Sequence, residues 1–369
     1  MAPVLRSPLR RTLLLALLLA ENVLSVSRLL PSSDRLIAHR HLVAGLGRAA
    51  AAATAIVCRP SPSVSATAET ALRSLPPCDD AVSLLRGPAG QEAVLIGTAH
   101  ISEQSAALVR ETIRRLTPDV VMIELDPKRI GRVDSQQQLT EAGFILPPGT
   151  TMGSVSALSP EAPPQERTAS LSPLAGMFDV FRRVREAAGG ILVGKVLQSF
   201  YKSVENLGFE AGGEFKAAVE EGRACGARIL LGDRDVDITL QHLALAFQST
   251  DPRALERLAS RVEETNQRSL GPIDESIFRE KAQLAQYVEQ MKQRSVLSNI
   301  LSAVREEAPA IYAALIGERD AFMAESVASA GAKVLVGVVG IAHVAGIEKC
   351  LVDTHQYRLV RNNCPATLR

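Results

Sequence analysis

Ala93-Val94-Leu95-Ile96-Gly97-Thr98-Ala99-His100 and Val334-Leu335-Val336-Gly337-Val338-Val339-Gly340-Ile341-Ala342-His343 are the stretches on which the fold turns. Each opens as a short, unbroken apolar run, the pattern of a strand buried on both faces. Each closes on the same word, Gly-x-Ala-His, and leads into a segment with helical periodicity. Glycine at a strand end lets the backbone turn tightly, and the histidine three places on then sits above the carboxyl end of the strand. In open parallel sheets that edge is where ligands bind.

Working outward, a helix is expected from Ser102 to about Leu116, with Ser102 as a weak cap and Glu103 in the first turn. A second buried strand follows at Asp119-Val120-Val121-Met122-Ile123-Glu124-Leu125-Asp126. Strand, helix, strand with short connections is a βαβ unit, which crosses over right-handed. Residues 134–173 are rich in Gln, Ser, Pro and Thr and read as a disordered surface insertion. A helix-compatible stretch resumes over 174–200, and Gly212-Gly213 leads into a helix from Glu214. A strand at Ala227–Gly232, a long helical region over 236–330 and a last strand at Tyr357–Val360 complete the series. The expectation is an α/β domain over residues 81–361, a mainly parallel sheet with a helical insertion.

The 369 residues are 46% hydrophobic and 22% charged, which is ordinary globular composition. Aromatics at 4%, no Trp and a net charge of +1 argue against a nucleic-acid surface. Cys58, Cys78, Cys225, Cys350 and Cys364 are scattered without a C-x-x-C pair, against a disulfide framework or a structural zinc site. Residues 1–75 differ in kind and read as a targeting peptide and linker. Their first 67 positions hold Arg6, Arg10, Arg11, Arg28, Arg35, Arg40, Arg48 and Arg59, no Lys, and only Glu21 and Asp34 as acids. That composition suits an organelle transit peptide, mitochondrial in preference to chloroplast. The alternative is a secretory signal built on Thr12–Ala20, whose apolar core is too short to span a bilayer. Outside it no run reaches membrane-spanning length, so any membrane association is expected to be peripheral.

Four strand ends deliver ionisable groups to one edge: His100, Glu124-Leu125-Asp126, Asp233-Arg234-Asp235 and His343. Imidazoles with carboxylates are the ligand set of a divalent transition metal, and Arg234 is placed to orient an anionic group or an oxyanion. The other reading has each histidine capping its own helix and the carboxylates paired with Arg234 in a buried network. Gly189–Val196 approaches a phosphate-binding loop, but Val196 stands where Ser or Thr should hold magnesium, so a packed helix is the better reading. His242 reads as a satisfied or surface histidine and Cys350 as a small core residue.

Val94–Ser102, Pro118–Asp126 with Arg129, Gly213-Glu214-Phe215, Gly226–Asp235 with Thr239, Glu318-Arg319-Asp320 with Met323-Ala324, and Val339–Ile347 together resemble the TraB (pheromone shutdown) family. The resemblance covers most of residues 93–352, outside the leader and the 134–173 insertion. It implies an erythromycin-esterase/ChaN-like architecture shared with the Tiki metalloproteases, in which two Gly-x-x-His motifs and a glutamate form a metal-dependent peptidase site. Carried over, His100, His343 and Glu124 would hold manganese, cobalt or zinc, with Glu124 as ligand or general base and Arg234 stabilising negative charge. Glu214, Asp233, Asp235, Glu318 and Arg319 would support them from behind. A peptide or small-molecule hydrolase is the leading expectation. A non-catalytic, organelle-associated signalling or membrane-contact protein is the alternative, and haem or another small ligand between the histidines is a third.

Overall fold

The computed structural model describes residues 81–99, 102–130, 136–150, 212–271 and 281–362. In chain order the elements are β1 (Val82–Arg86), β2 (Glu92–Thr98), α1 (Glu103–Leu116), β3 (Val120–Ile123), α2 (Pro127–Ile130), α3 (Gln136–Glu141) and β4 (Phe144–Ile145). There follow α4 (Gly213–Ala224), β5 (Arg228–Leu231), α5 (Val236–Ser249), α6 (Pro252–Leu270), α7 (Lys281–Met291), α8 (Arg294–Glu307) and α9 (Pro309–Tyr312). A π-helical turn (Ala313–Gly317), α10 (Glu318–Ser329), β6 (Val334–Gly340), α11 (Ile341–His355) and β7 (Arg358–Asn362) close the series.

The strands form one sheet in the order β4-β5-β3-β6-β2-β1-β7. From β4 to β2 every pairing is parallel, while β1 runs antiparallel to both β2 and β7. Side chains alternate across the sheet as the two-residue strand period requires. Val94, Ile96, Val121, Ile123, Ile229, Leu231, Val336 and Val338 face one core with α1 and α4. Leu95, Met122, Leu230, Leu335 and Val339 face the other, closed by helices of the 236–355 region. Helices therefore cover both faces, which is why the central strands are apolar without interruption.

β2 and β6 are neighbours, yet the chain leaves β2 into α1 on one face and β6 into α11 on the other. Their carboxyl ends thus bound a topological switch point, where a crevice opens in this class of sheet. Gly97 makes the corner tight, since a Cβ there would strike Ile341 and Val344 of α11. Ser102 caps α1 as its sequence suggested, its side chain accepting from the Ser105 amide at 2.9 Å.

Two expectations are corrected. The 134–173 segment is not disordered throughout: α3 and β4 lie within it, and β4 extends the sheet with Phe144 opposite Ile229. Leu139 and Phe144 are buried anchors hidden in a polar composition. The opening strand β1 was also not anticipated, because an antiparallel edge hairpin lacks the strand-helix alternation that marks the rest. Residues 151–173, the 174–200 stretch with its glycines, and the 1–75 leader lie outside the described residues.

Candidate active site

The strand ends meet because two ladders, β3 with β6 and β3 with β5, continue past their strands through three backbone bonds. The Glu124 amide donates to Val338 at 3.1 Å, that of Gly232 to Ile123 at 3.0 Å, and that of Asp233 to Leu125 at 3.4 Å. Glu124 and Asp233 are thereby held side by side, and His343 arrives in the first turn of α11. Arg319 joins them from α10 and is the hub. It donates through Nη1 to His343 Nε2 at 3.0 Å and through Nη2 to Glu124 Oε1, and grips Asp233 at 3.2 Å through Nε and 2.7 Å through Nη2. Arg129 bridges Asp126 and Asp233 from the other side. Glu124 Oε2 accepts the Gly340 amide at 2.5 Å.

Successive residues of a helix point about 100° apart, and Glu318-Arg319-Asp320 uses that fan. Glu318 reaches outward to Arg234 at 2.5 Å and His242 at 2.6 Å, Arg319 inward, and Asp320 across to His343 Nδ1 at 2.6 Å. The π-helical turn ahead of them makes carbonyls available: Ala314 accepts from Arg234 at 2.8 Å and Leu315 from Arg319 at 3.2 Å. Such turns occur disproportionately at functional sites.

A guanidinium only donates, so His343 Nε2 must accept, and the ring proton then sits on Nδ1, pointing at Asp320. The geometry fixes a neutral imidazole in one tautomer. Burial pushes the Asp320 carboxyl up, against the pull of His343 and Arg319. Burial likewise raises Asp126 despite Arg129. At Asp233 burial also works upward, but Arg319 and Arg129 outweigh it and hold the carboxyl well below the usual range. Four carboxylates, Glu124, Asp126, Asp233 and Asp320, share this centre with the guanidiniums of Arg129 and Arg319 and the His343 imidazole.

His343 is 1% exposed and Glu124 0%. Their Nε2 and Oε1 atoms are 3.5 Å apart, a separation two donors could share on one ion at about 2.0–2.2 Å from each. The guanidinium of Arg319, however, already spans both atoms. Among the described residues no group of three His, Cys, Asp or Glu side chains is arranged to hold a metal. As arranged, these residues do not fit an ion. His100, the third expected ligand, lies outside the described residues.

The structure separates the other expected residues. Arg234 does not face the centre; it is held by Thr239 at 2.9 Å, Ala314 and Glu318. The guanidinium in the position expected of Arg234 is that of Arg319. Asp235 caps α5 through the Asp237 amide at 2.8 Å. Glu214 is buried in the first turn of α4. His242 is a bonded surface histidine, and Cys350 is half-buried on α11.

Three groups were not singled out for a role. Asp320 stands next to Arg319, and both are buried while Glu318 of the same charged triplet stays partly exposed; the adjacent opposite charges of the triplet are the signal that could have found it. Arg129 lies three residues past Asp126, and its Nη1 has no partner among the described residues. Lys292 is buried beyond α7, donating to Glu289 at 2.9 Å and Ser105 at 3.2 Å, while Ser102 also donates to Glu289. Ser105 accepts the Ala99 amide at 3.2 Å, so this ring pins both described flanks of the first Gly-x-Ala-His unit. Nothing local in the sequence links positions 187 apart.

The fold and site define an α/β protein with helices on both faces and a buried acid–base cluster at the carboxyl ends of β3, β5 and β6. The sequence model of the TraB/PrgY/gumN family matches residues 83–162 and 240–356, and the chain belongs to that family. The match takes in Glu124, Arg129, Arg319, Asp320 and His343, whereas Asp233 and Arg234 lie between its two segments. A TraB domain-containing protein of Bos taurus is 26% identical over 297 residues, covering 75% of this chain and 67% of the relative. The Homo sapiens protein of the same name gives the same figures. An uncharacterized protein of Methanocaldococcus jannaschii is 26% identical over 270 residues, which is 70% of this chain and 52% of that protein.

Proposed function

We propose that this TraB-family chain is a hydrolase of peptide or amide bonds, with its reactive groups gathered where β3 and β6 end beside α10. The observation that carries the reading is the Asp320–His343 pair, a neutral imidazole fixed in one tautomer beside Arg319 and Glu124. A substrate carbonyl that takes the Arg319 Nη1–H would release the lone pair on His343 Nε2. That nitrogen could then accept a proton from the attacking water, with Asp320 stabilising the imidazolium and Arg319 the developing oxyanion. Collapse of the adduct breaks the carbon–nitrogen bond, and the imidazolium returns its proton to the leaving amine. Glu124 holds the guanidinium in place. No step is assigned to a metal, because Arg319 occupies the donors that would hold it.

The test is turnover by the full chain on peptide pools and amide substrates, read by mass spectrometry. His343→Ala and Asp320→Ala should each lower the rate by about 10²–10⁴-fold while the circular dichroism stays native. One observation favours a second reading, a non-catalytic signalling or membrane-contact protein: the cluster is buried and its donors and acceptors are largely saturated. Absence of turnover across the panel in a folded wild type would select it. No helix among the described residues is long and apolar enough to cross a membrane. An organellar location, mitochondrial before chloroplast, is proposed from the arginine-rich leader.

A further inference from the structure

We infer that Arg319 is the resident cation of this centre, its guanidinium taking the place on Glu124 and His343 that a divalent ion would otherwise fill. The inference deepens the hydrolase reading and rests on it for its catalytic meaning.

The two donors sit 3.5 Å apart, close enough to serve one positive centre. Nη1 meets the imidazole at 3.0 Å and Nη2 meets the carboxylate, so one planar group satisfies both. Arg319 is 1% exposed and is not free to swing aside. Asp233 takes its Nε and Nη2, and Leu315 of the π-helical turn just ahead of α10 takes Nη1 at 3.2 Å. The second carboxylate oxygen of Glu124 is used by the Gly340 amide. A metal entering here would have to displace a guanidinium with carboxylates on two sides, in a buried setting where breaking a charge pair is costly. Arginine suits the post because its charge persists at any working pH and its fork can address an imidazole and two carboxylates together. When a substrate carbonyl takes the Nη1–H from His343, that electrophilic N–H offers it what a Lewis acid would offer, without an ion to load.

The experiment uses the purified full chain, dialysed separately against manganese, cobalt and zinc, with bound metal and melting temperature as readouts. The wild type should retain far less than one ion per chain and show no melting shift. About one ion per chain, lost in Glu124→Gln and in His343→Ala, would overturn the inference. In parallel, Arg319→Ala should melt lower than wild type and regain several degrees in low-millimolar guanidinium chloride, but not in equal ammonium chloride. If that variant is recovered only unfolded, its refolding yield with and without guanidinium is the readout. A variant indifferent to guanidinium would also overturn the inference. None of these readouts needs turnover, so a failure of the hydrolase reading is seen separately.

Discussion

Asp233 carries the acid response of the buried cluster. Burial would raise its carboxyl from the ordinary 3.8, but Arg319 and Arg129 reverse that and leave it depressed. The native state therefore binds fewer protons here than the unfolded chain does. Its stabilising share is complete above about pH 4 and is lost as pH falls below that toward the native value. Asp126 and Asp320 act with the opposite sign. Raised in the native state, they contribute most below the ordinary value and lose that share as pH rises through their native values. Urea midpoints measured across the acid range should drop as pH falls below about 4. Asp233→Asn should lower the neutral-pH stability by about 3–5 kcal/mol and flatten that drop. An unchanged slope would show that other carboxylates govern it. At this scale much was legible: Glu124, Asp233 and His343 were recognisable because ionisable residues closing apolar runs are rare, while Arg319 was named only as a supporting residue. Which guanidinium faces the histidine was not, since Arg234, in the connection between β5 and α5, and Arg319, in the first turn of α10, are told apart only by how the helices pack.

Helices α10 and α11 set the second scale, because their separation decides whether Asp320 can orient His343. Gly346 lies one turn beyond His343 on α11, and a Cβ there would land on the Asp320 carboxylate. Gly346→Ala should cost about 1–3 kcal/mol through overpacking and disturb the Asp320–His343 hydrogen bond. The imidazole proton resonance would report that disturbance. Gly213→Ala is the matched control, since its Cβ would find Ala106 no nearer than 4.0 Å. It should leave stability unchanged or raise it by up to about 1 kcal/mol. Equal losses in both would mean that close approach of the two helices is not what Gly346 provides. Helix α11 followed from the helical periodicity after the second Gly-x-Ala-His unit, and α10 lies inside the helical region expected over 236–330. The π-helical turn did not follow, because Ala313–Gly317 is apolar throughout and carries no period that one extra residue in a turn would visibly shift.

For the whole molecule, residues 1–75 and the folded body carry separate predictions. Residues 1–75 fused to a fluorescent protein should be delivered to mitochondria, or to plastids where these are present, and release from the fusion should follow import. Delivery to the secretory route would replace that assignment with a signal peptide. The sequence by itself determined the class of the body. Unbroken apolar runs alternating with amphipathic segments can bury themselves only as a mainly parallel sheet with helices on both faces, and glycines at strand ends mark the edge where a site forms. Only the tertiary structure decided the order β4-β5-β3-β6-β2-β1-β7, with β6 inserted between β2 and β3. It also decided that a guanidinium from position 319, rather than an ion, spans Glu124 and His343 among the described residues. The physical reason is range. Propensity and periodicity act over a few residues, whereas Arg319 meets Glu124 across 195 positions of chain, and that meeting exists only when burial of both faces has fixed every strand end.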